Sequence, residues 1–215
     1  MFKNNAEAAS HPARLCARQL RSSHAGPFDF DVEAGACVVI QGPSGAGKSV
    51  LLRMLADLDP HEGEVLLDGA PAASMPPSAW RAQVVYQAAE PAWWEATPAA
   101  HFDDAQRADV QLEYARARLA QLGLRAGILD DDLQHLSTGE RQRLALLRSL
   151  SRKPRVLLLD EPTAALDPDG VARVETLLRS ELADGLTILM VSHAPEQARR
   201  IASRTWRIET GRLAA

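Results

Sequence analysis

Eight consecutive residues, Gly42-Pro43-Ser44-Gly45-Ala46-Gly47-Lys48-Ser49, follow the pattern G-x-x-x-x-G-K-[ST]. Glycines at these positions let the backbone curl so that successive N–H groups point inward at phosphate oxygens. Lys48 adds a compact positive charge for the β- and γ-phosphates. The Ser49 hydroxyl suits Mg²⁺, a cation that keeps most of its waters and takes few protein ligands. A second feature lies farther along the chain, where Val156-Leu157-Leu158-Leu159 runs into Asp160-Glu161. Asp160 suits the orientation of Mg²⁺ through water. Glu161 suits accepting a proton from a water that attacks a γ-phosphate. The bland alternatives are a glycine-rich helix entry that binds nothing and a solvated strand end. Lysine usage weighs against the first: the chain has 21 Arg and 3 Lys, and one of the three is Lys48. The loop alone does not separate a kinase, a GTPase and an ATPase.

Such a loop works only between a strand and a helix. Cys37-Val38-Val39-Ile40 is a continuous apolar run, the pattern of a strand buried on both faces. Residues 49–58 have helical spacing through Leu51, Leu52, Leu55 and Leu58, ended by Pro60 and Gly63. Phe28, Phe30 and Val32 alternate with Asp29 and Asp31, which predicts a half-buried strand. Val65–Leu67 and Gln83–Gln87 read as strands, and the Pro-, Ala- and Ser-rich stretch 70–78 reads as a loop. Leu112, Ala115, Leu119 and Leu122 share one helical face. A further helix is expected at about 139–151. Strand and helix alternation resumes with strands at 156–159 and 187–191 and helices at about 169–183 and 195–202. The pattern predicts a βαβ parallel-sheet core with an inserted helical subdomain. The expected divisions are a flexible tail at 1–12, core at 13–87, helical subdomain at 88–152 and core again at 153–215. In a parallel sheet the strand C-termini face the ligand crevice, which would bring Asp160 and Glu161 beside the phosphate loop.

Composition removes several other classes. The 215 residues are 46% hydrophobic and 24% charged, a globular balance. At this size about 70% of the unfolded surface can be buried. A net charge of −4 is no footprint for nucleic acid. Two cysteines, Cys16 and Cys37, make neither a disulfide framework nor a Cys-rich zinc module. No run approaches the ~18–20 apolar residues of a membrane span. The first twelve residues lack the apolar core of a signal peptide, so a reducing cytosol is the expected setting.

The segment Leu136-Ser137-Thr138-Gly139-Glu140-Arg141-Gln142-Arg143 contains the capping-box pattern Ser137-x-x-Glu140. It also resembles the LSGGQ signature of ABC-type ATPases, with Thr138 for the first Gly and Glu140 for the Gln. Other marks of that family follow in order. Gln87 is similar to the Q-loop glutamine, Ala164-Ala165-Leu166-Asp167 resembles the D-loop, and His193 resembles the H-loop histidine. The resemblance runs from about Leu15 to Gly211. It implies a P-loop NTPase (RecA-like) core with N-terminal antiparallel strands and an inserted α-helical subdomain. It implies ATP and Mg²⁺ as cofactors, with Glu161, His193 and Gln87 in the catalytic role. Nucleotide contacts would come from Gly42, Pro43, Ser44, Gly45, Ala46, Gly47, Lys48, Ser49 and Val50. Ser137 and Gly139 would reach the nucleotide of an opposite subunit, and Asp167 would lie at the interface between subunits. Metal contacts would come from Ser49, Gln87 and Asp160.

Two departures stand out. Val50 occupies a place where many members carry Thr, which removes one hydroxyl for the α-phosphate, worth ~0.5–1.5 kcal/mol. The region Gln19–His24 holds no Tyr or Phe to stack on adenine, leaving Arg21 or His24 as substitutes. Trp93-Trp94 follows Gln87 closely, where transporters of this family receive a coupling helix from the membrane subunit; packing into the subdomain's own core is the alternative.

The resemblance implies a motor subunit of an ABC transporter. It would dimerise around two ATP molecules and drive a separate integral membrane permease from the cytoplasmic face of a bacterial inner membrane, without nucleic acid. The compact chain, the Trp93-Trp94 pair and Leu55-Ala56-Asp57-Leu58 resemble the small subunits assigned to metal (iron) export, with heme or lipoprotein export as alternatives. A soluble ABC-type ATPase of DNA repair or translation is the competing class, although those usually carry coiled-coil insertions or tandem cassettes. A small-molecule kinase is a third, opposed by the signature segment and by Asp160-Glu161.

Overall fold

The computed structural model describes residues 13–102 and 108–214. The expected tail at 1–12 lies outside the described residues. In chain order, β1 (Ala13–Arg21) and β2 (Phe28–Glu33) are followed by β3 (Cys37–Gln41) and α1 (Lys48–Leu55). Then come β4 (Glu62–Leu67), β5 (Ala70–Pro71), α2 (Pro77–Gln83) and β6 (Val84–Gln87). The next stretch contains α3 (Ala108–Arg118) and α4 (Thr138–Ser151). The chain ends with β7 (Val156–Asp160), α5 (Pro168–Ala183), β8 (Thr187–Val191), α6 (Pro195–Ile201), β9 (Arg204–Glu209) and β10 (Arg212–Leu213).

Two sheets result. β2-β1-β4-β5 form an antiparallel sheet, and β10-β9-β3-β8-β7-β6 form a second, six-stranded one. In the second, β9, β3, β8, β7 and β6 pair in parallel, and β10 turns back against β9. Every residue of β7 and β8 is buried, which is why those strands read as unbroken apolar runs rather than alternating ones. β2 alternates buried and exposed residues along its whole length, since only one face of the antiparallel sheet meets the core. The architecture is the RecA-like P-loop ATPase fold with N-terminal antiparallel strands and helical insertions.

Two apolar cores lie on opposite faces of the six-stranded sheet. One joins the antiparallel sheet, α1 and Trp80 of α2 to Val38, Ile40, Leu158 and Leu189. The other packs α3, α4 and α5 against Val39, Leu157, Leu159 and Ile188. Trp80 is buried, and its indole N–H donates to the Leu55 carbonyl at 3.0 Å. That bond closes the C-terminal end of α1, whose last carbonyls have no helical partner.

Several elements differ from the sequence reading. The stretch 70–78 is not all loop, because Pro77 opens α2 at a first-turn position where its missing N–H costs nothing. α1 stops at Leu55 rather than Leu58, and Asp57 takes a left-handed φ of 54°. The helical face 112–122 is split: α3 ends at Arg118, and a single 3₁₀ turn at Ala120–Leu122 is closed by Gly123 at φ 65°. β1 went unread because a register shift between Ala17 and Leu20 breaks its alternation. β9 went unread because it is mostly polar, with Ile208 its one buried residue.

Candidate functional site

The phosphate loop leaves β3 and enters α1 through three glycines with positive φ: Gly42 at 148°, Gly45 at 75° and Gly47 at 96°. Gly42 is fixed sterically, since a Cβ there would stand 2.2 Å from the Ile208 carbonyl oxygen of β9. No side chain caps the start of α1. Its first N–H groups are thus left for an anion, with the positive end of the helix behind them. Lys48 is buried, and its Nζ donates to the carbonyls of Gly42 at 2.9 Å and Pro43 at 2.8 Å. Those bonds span the loop and use two of three ammonium donors. Ser44 and Ser49 are exposed at the loop, and Ala46 is buried beneath it. Val50, partly buried, packs against the apolar core that includes α1.

Residues 22–26 and 211 brace this loop. Gly211 N–H donates to the Ala46 carbonyl at 3.1 Å, and Gly26 N–H donates to the Gly211 carbonyl at 2.7 Å. Arg21 is committed to Glu62, at 2.9 and 2.6 Å. Of the two candidates for stacking on a base, His24 is the one outside an ion pair, its Nδ1 lying 2.8 Å from the Ser23 hydroxyl.

The strand ends supply the polar groups. Asp160 is buried and accepts a hydrogen bond from the Tyr86 hydroxyl at 3.1 Å. Burial, then the adjacent Asp160 charge, push the Tyr86 phenol up to about 12. Gln87 is 4% exposed, and among the described residues neither its side-chain nitrogen nor its oxygen has a hydrogen-bond partner. A buried amide left so costs ~1–3 kcal/mol. It is the kind of group that a metal-bound water or a phosphate-linked water satisfies. Mg²⁺ fits the residues present: one hydroxyl, one carboxylate and one unpartnered amide, with no all-protein cage of three or more His, Cys, Asp or Glu among the described residues.

Glu161 adopts φ 49°, a left-handed conformation unusual for a residue with a Cβ. Its N–H donates to the Val191 carbonyl at 3.1 Å, joining it to the end of β8. Its carboxylate Oε1 lies 3.1 Å from Nε2 of His193. A carboxylate and an imidazole are thereby held together at the C-terminal edge of the sheet. The loop carrying His193 is fixed by Ser192, whose hydroxyl accepts from Ala194 N–H at 3.1 Å and donates to Gln197 at 2.8 Å. Gln197 also bonds the Thr163 hydroxyl at 3.1 Å, joining the His193 loop to the segment after Glu161.

The 137–143 segment behaves differently. Ser137 caps α4 in a complete capping box. Glu140 N–H donates to its hydroxyl at 3.2 Å, while Ser137 N–H and the hydroxyl donate to the Glu140 carboxylate at 2.9 and 2.8 Å. Gly139 packs against the next motif, since a Cβ would meet the Ala165 oxygen and Leu166 side chain at 3.3 Å each. Among the described residues, Ser137 and Gly139 bond neither the phosphate loop nor the Glu161–His193 pair. Asp167 caps α5 by accepting from Gly170 N–H at 2.8 Å.

The two tryptophans part company. Trp93 packs against the core beside α4, whereas Trp94 is 64% exposed. Buried His101 stands between them with ring centroids at 4.8 and 4.6 Å, and Arg148 lies over both rings. Nε2 of His101 accepts from the N–H groups of Trp94 and Glu95 at 2.9 and 3.1 Å. Trp94, Tyr86, His101, Arg148 and Arg152 line a groove of about 450 Å³. Sequence reasoning missed Tyr86, Gln142 and Gln197. Gln142 and Gln197 carried a faint signal, as amides on otherwise apolar helix faces.

Known proteins are similar to this chain in sequence and in fold. A family model described as ABC transporter matches residues 26–164, more than half of the chain. The chain belongs to the ABC transporter family. As an ABC transporter ATPase, it carries the ATP-hydrolysing motor function of that family. It is 37% identical over 201 residues to the thiamine import ATP-binding protein ThiQ of Escherichia coli, covering 87% of this chain and 83% of that one. It is 40% identical over 183 residues to Protein STAR1 of Oryza sativa subsp. japonica, covering 81% of this chain and 52%, about half, of STAR1. A solved ATP-binding subunit of an ABC transporter superposes with TM-score 0.85 at 23% identity, over 94% of this chain and 88% of that one. A bacterial Atm1-family ABC exporter with ATP bound gives TM-score 0.80 at 25% identity, over 98% of this chain and 40% of that one. No helix among the described residues is long and apolar enough to cross a membrane.

Proposed function

We propose that this ABC ATPase works as a homodimer around two ATP molecules and drives a separate integral membrane permease, to which it docks peripherally from the cytoplasmic side. The observation that carries the reading is the meeting of three things at one sheet edge: an uncapped helix start with Lys48, the unpartnered amide of Gln87, and Glu161 held beside His193.

In this mechanism, residues Gly42 to Ser49 bind the phosphates through backbone N–H groups, with Lys48 turning from its two carbonyls to the β- and γ-phosphates. Val50 adds packing in place of a hydroxyl. His24 stacks on the base. Ser49, Asp160 and Gln87 would hold Mg²⁺, which when bound neutralises phosphate charge. Glu161 accepts the proton of the attacking water, and His193 steadies the carboxylate and the γ-phosphate end. Ser137 and Gly139 of a second copy close over the γ-phosphate, and Asp167 lies at that junction. Residues 88–152 act as a subdomain that transmits closure through Gln87 to the groove beside Trp94. An exposed tryptophan of this kind is a common interface anchor.

Cargo is the membrane partner's business. Export of a metal ion such as iron has as its support the likeness of the short chain, the Trp93-Trp94 pair and Leu55–Leu58 to such subunits, together with the similarity to STAR1 and to an Atm1-family exporter; Leu55 and Ala56 are themselves buried core residues. Affinity isolation from membranes tests the whole reading. An integral membrane protein should co-purify with the parent chain, and recovery should fall at least tenfold with Trp94→Ala. Failure to recover any membrane protein, with full ATPase activity in hand, favours a soluble ATPase instead.

A further inference from the structure

The left-handed conformation of Glu161 raises the question of what holds it. Such a backbone is sterically disfavoured for a residue with a Cβ, and strain of this sort persists only where the surroundings over-determine it. Glu161 is fixed at its N–H by Val191 and at its carbonyl by Ala164 N–H at 3.2 Å, a bond within its own turn. The remaining tether comes from another element. Gln142 of α4 donates from Nε2 to the Glu161 carbonyl at 2.9 Å. Its Oε1 accepts from Ala165 N–H at 3.3 Å. Gln142 is 3% exposed, so this one amide grips both ends of the turn that follows the glutamate, away from water.

We infer that Gln142 is a positioning residue for hydrolysis: it holds the Glu161 peptide in the conformation that aims the carboxylate at the attacking water. The inference rests on the reading of Glu161 as the proton acceptor. Its physical content is a division of labour within one helix. α4 begins at Ser137, which in the proposed dimer faces the nucleotide of the second copy. One and a half turns on, the same helix holds the carbonyl of its own chain's glutamate. Whatever seats the start of α4 therefore also sets Gln142, and through it Glu161.

The test is steady-state turnover of Mg-ATP by Gln142→Met, which keeps the volume and removes both bonds, and by Gln142→Asn. The second variant keeps a neutral amide one methylene shorter. It cannot span to both the Glu161 carbonyl and Ala165 N–H, and it remains informative if the methionine variant does not fold. Both should lower kcat about tenfold, the effect of one ~1.4 kcal/mol hydrogen bond, with KM for ATP within twofold of the parent. A purely structural amide would instead lower the melting temperature and leave kcat per folded molecule unchanged. Parent-like kcat in the folded variants, beside an inactive Glu161→Gln control, overturns the role of Gln142 and leaves Glu161 in place. A parallel rise in KM also overturns it. Full turnover by Glu161→Gln removes both.

Discussion

Two helix starts to which the proposed mechanism assigns phosphate are built in opposite ways. α1 begins after Gly47 in a left-handed conformation, with no side-chain cap, no acidic residue in its first turn and Lys48 as its first residue. α4 begins after Ser137, with a closed capping box and Glu140 in its first turn. Both carry the positive end of a helix dipole. Only the first leaves its N–H groups and a cation for a ligand. The second satisfies its own donors and adds a negative charge. The difference teaches which half of the proposed site is self-sufficient. In the proposed dimer, the α1 half would bind nucleotide within a single chain. The α4 half has its capping box closed without nucleotide, and in that proposal it exchanges the internal Ser137–Glu140 bonds for a phosphate when a second copy closes.

Perturbing each start separately should break the pair into its parts. Lys48→Ala removes the cation of the self-sufficient half. ATP binding should weaken at least a hundredfold, read by titration with a fluorescent nucleotide; parent-like affinity would mean the α1 start is not the binding half. Ser137→Arg should cut turnover more than tenfold and leave nucleotide binding by the monomer within twofold. Equal losses of both would erase the distinction between the two starts.

A smaller effect belongs to the capping box itself. The Glu140 carboxyl is held below the usual range by the Ser137 backbone N–H first and the hydroxyl second. A group with a depressed folded-state pKa stabilises fully above its unfolded value, about 4.3 for glutamate, and loses that contribution as pH falls through the folded value. Melting curves of parent and Glu140→Gln should therefore differ by about 0.5–1 kcal/mol above pH 5 and converge in acid. A constant gap from pH 7 down to pH 3 would show that the charge on Glu140 contributes nothing to the cap.

The same contrast explains what was legible in the sequence. The α1 start is encoded within eight adjacent residues, and Asp160-Glu161 follows directly on its strand, so local pattern sufficed. The capping box was equally local. What joins these pieces is not. Gly42 needs its missing Cβ because of Ile208 in β9, more than 160 positions away, and β9 is too polar to announce itself. Gln142 reaches Glu161 across 19 positions and Gln197 reaches Thr163 across 34. Each is a single amide on an apolar face, and nothing in its own neighbourhood says which backbone it will meet. Trp93 and Trp94 are adjacent and chemically identical, yet one packs against the core and the other lies in solvent, on either side of buried His101.

The central claim is that one chain holds half of each hydrolytic site, with Glu161 as the group that discharges it. Light scattering on Glu161→Gln, with and without ATP and Mg²⁺, tests this most directly. A mass that doubles on adding ATP and returns to the monomer when ATP is removed is the predicted result. A variant that binds ATP, fails to hydrolyse it and stays monomeric at every protein concentration would contradict the two-chain site.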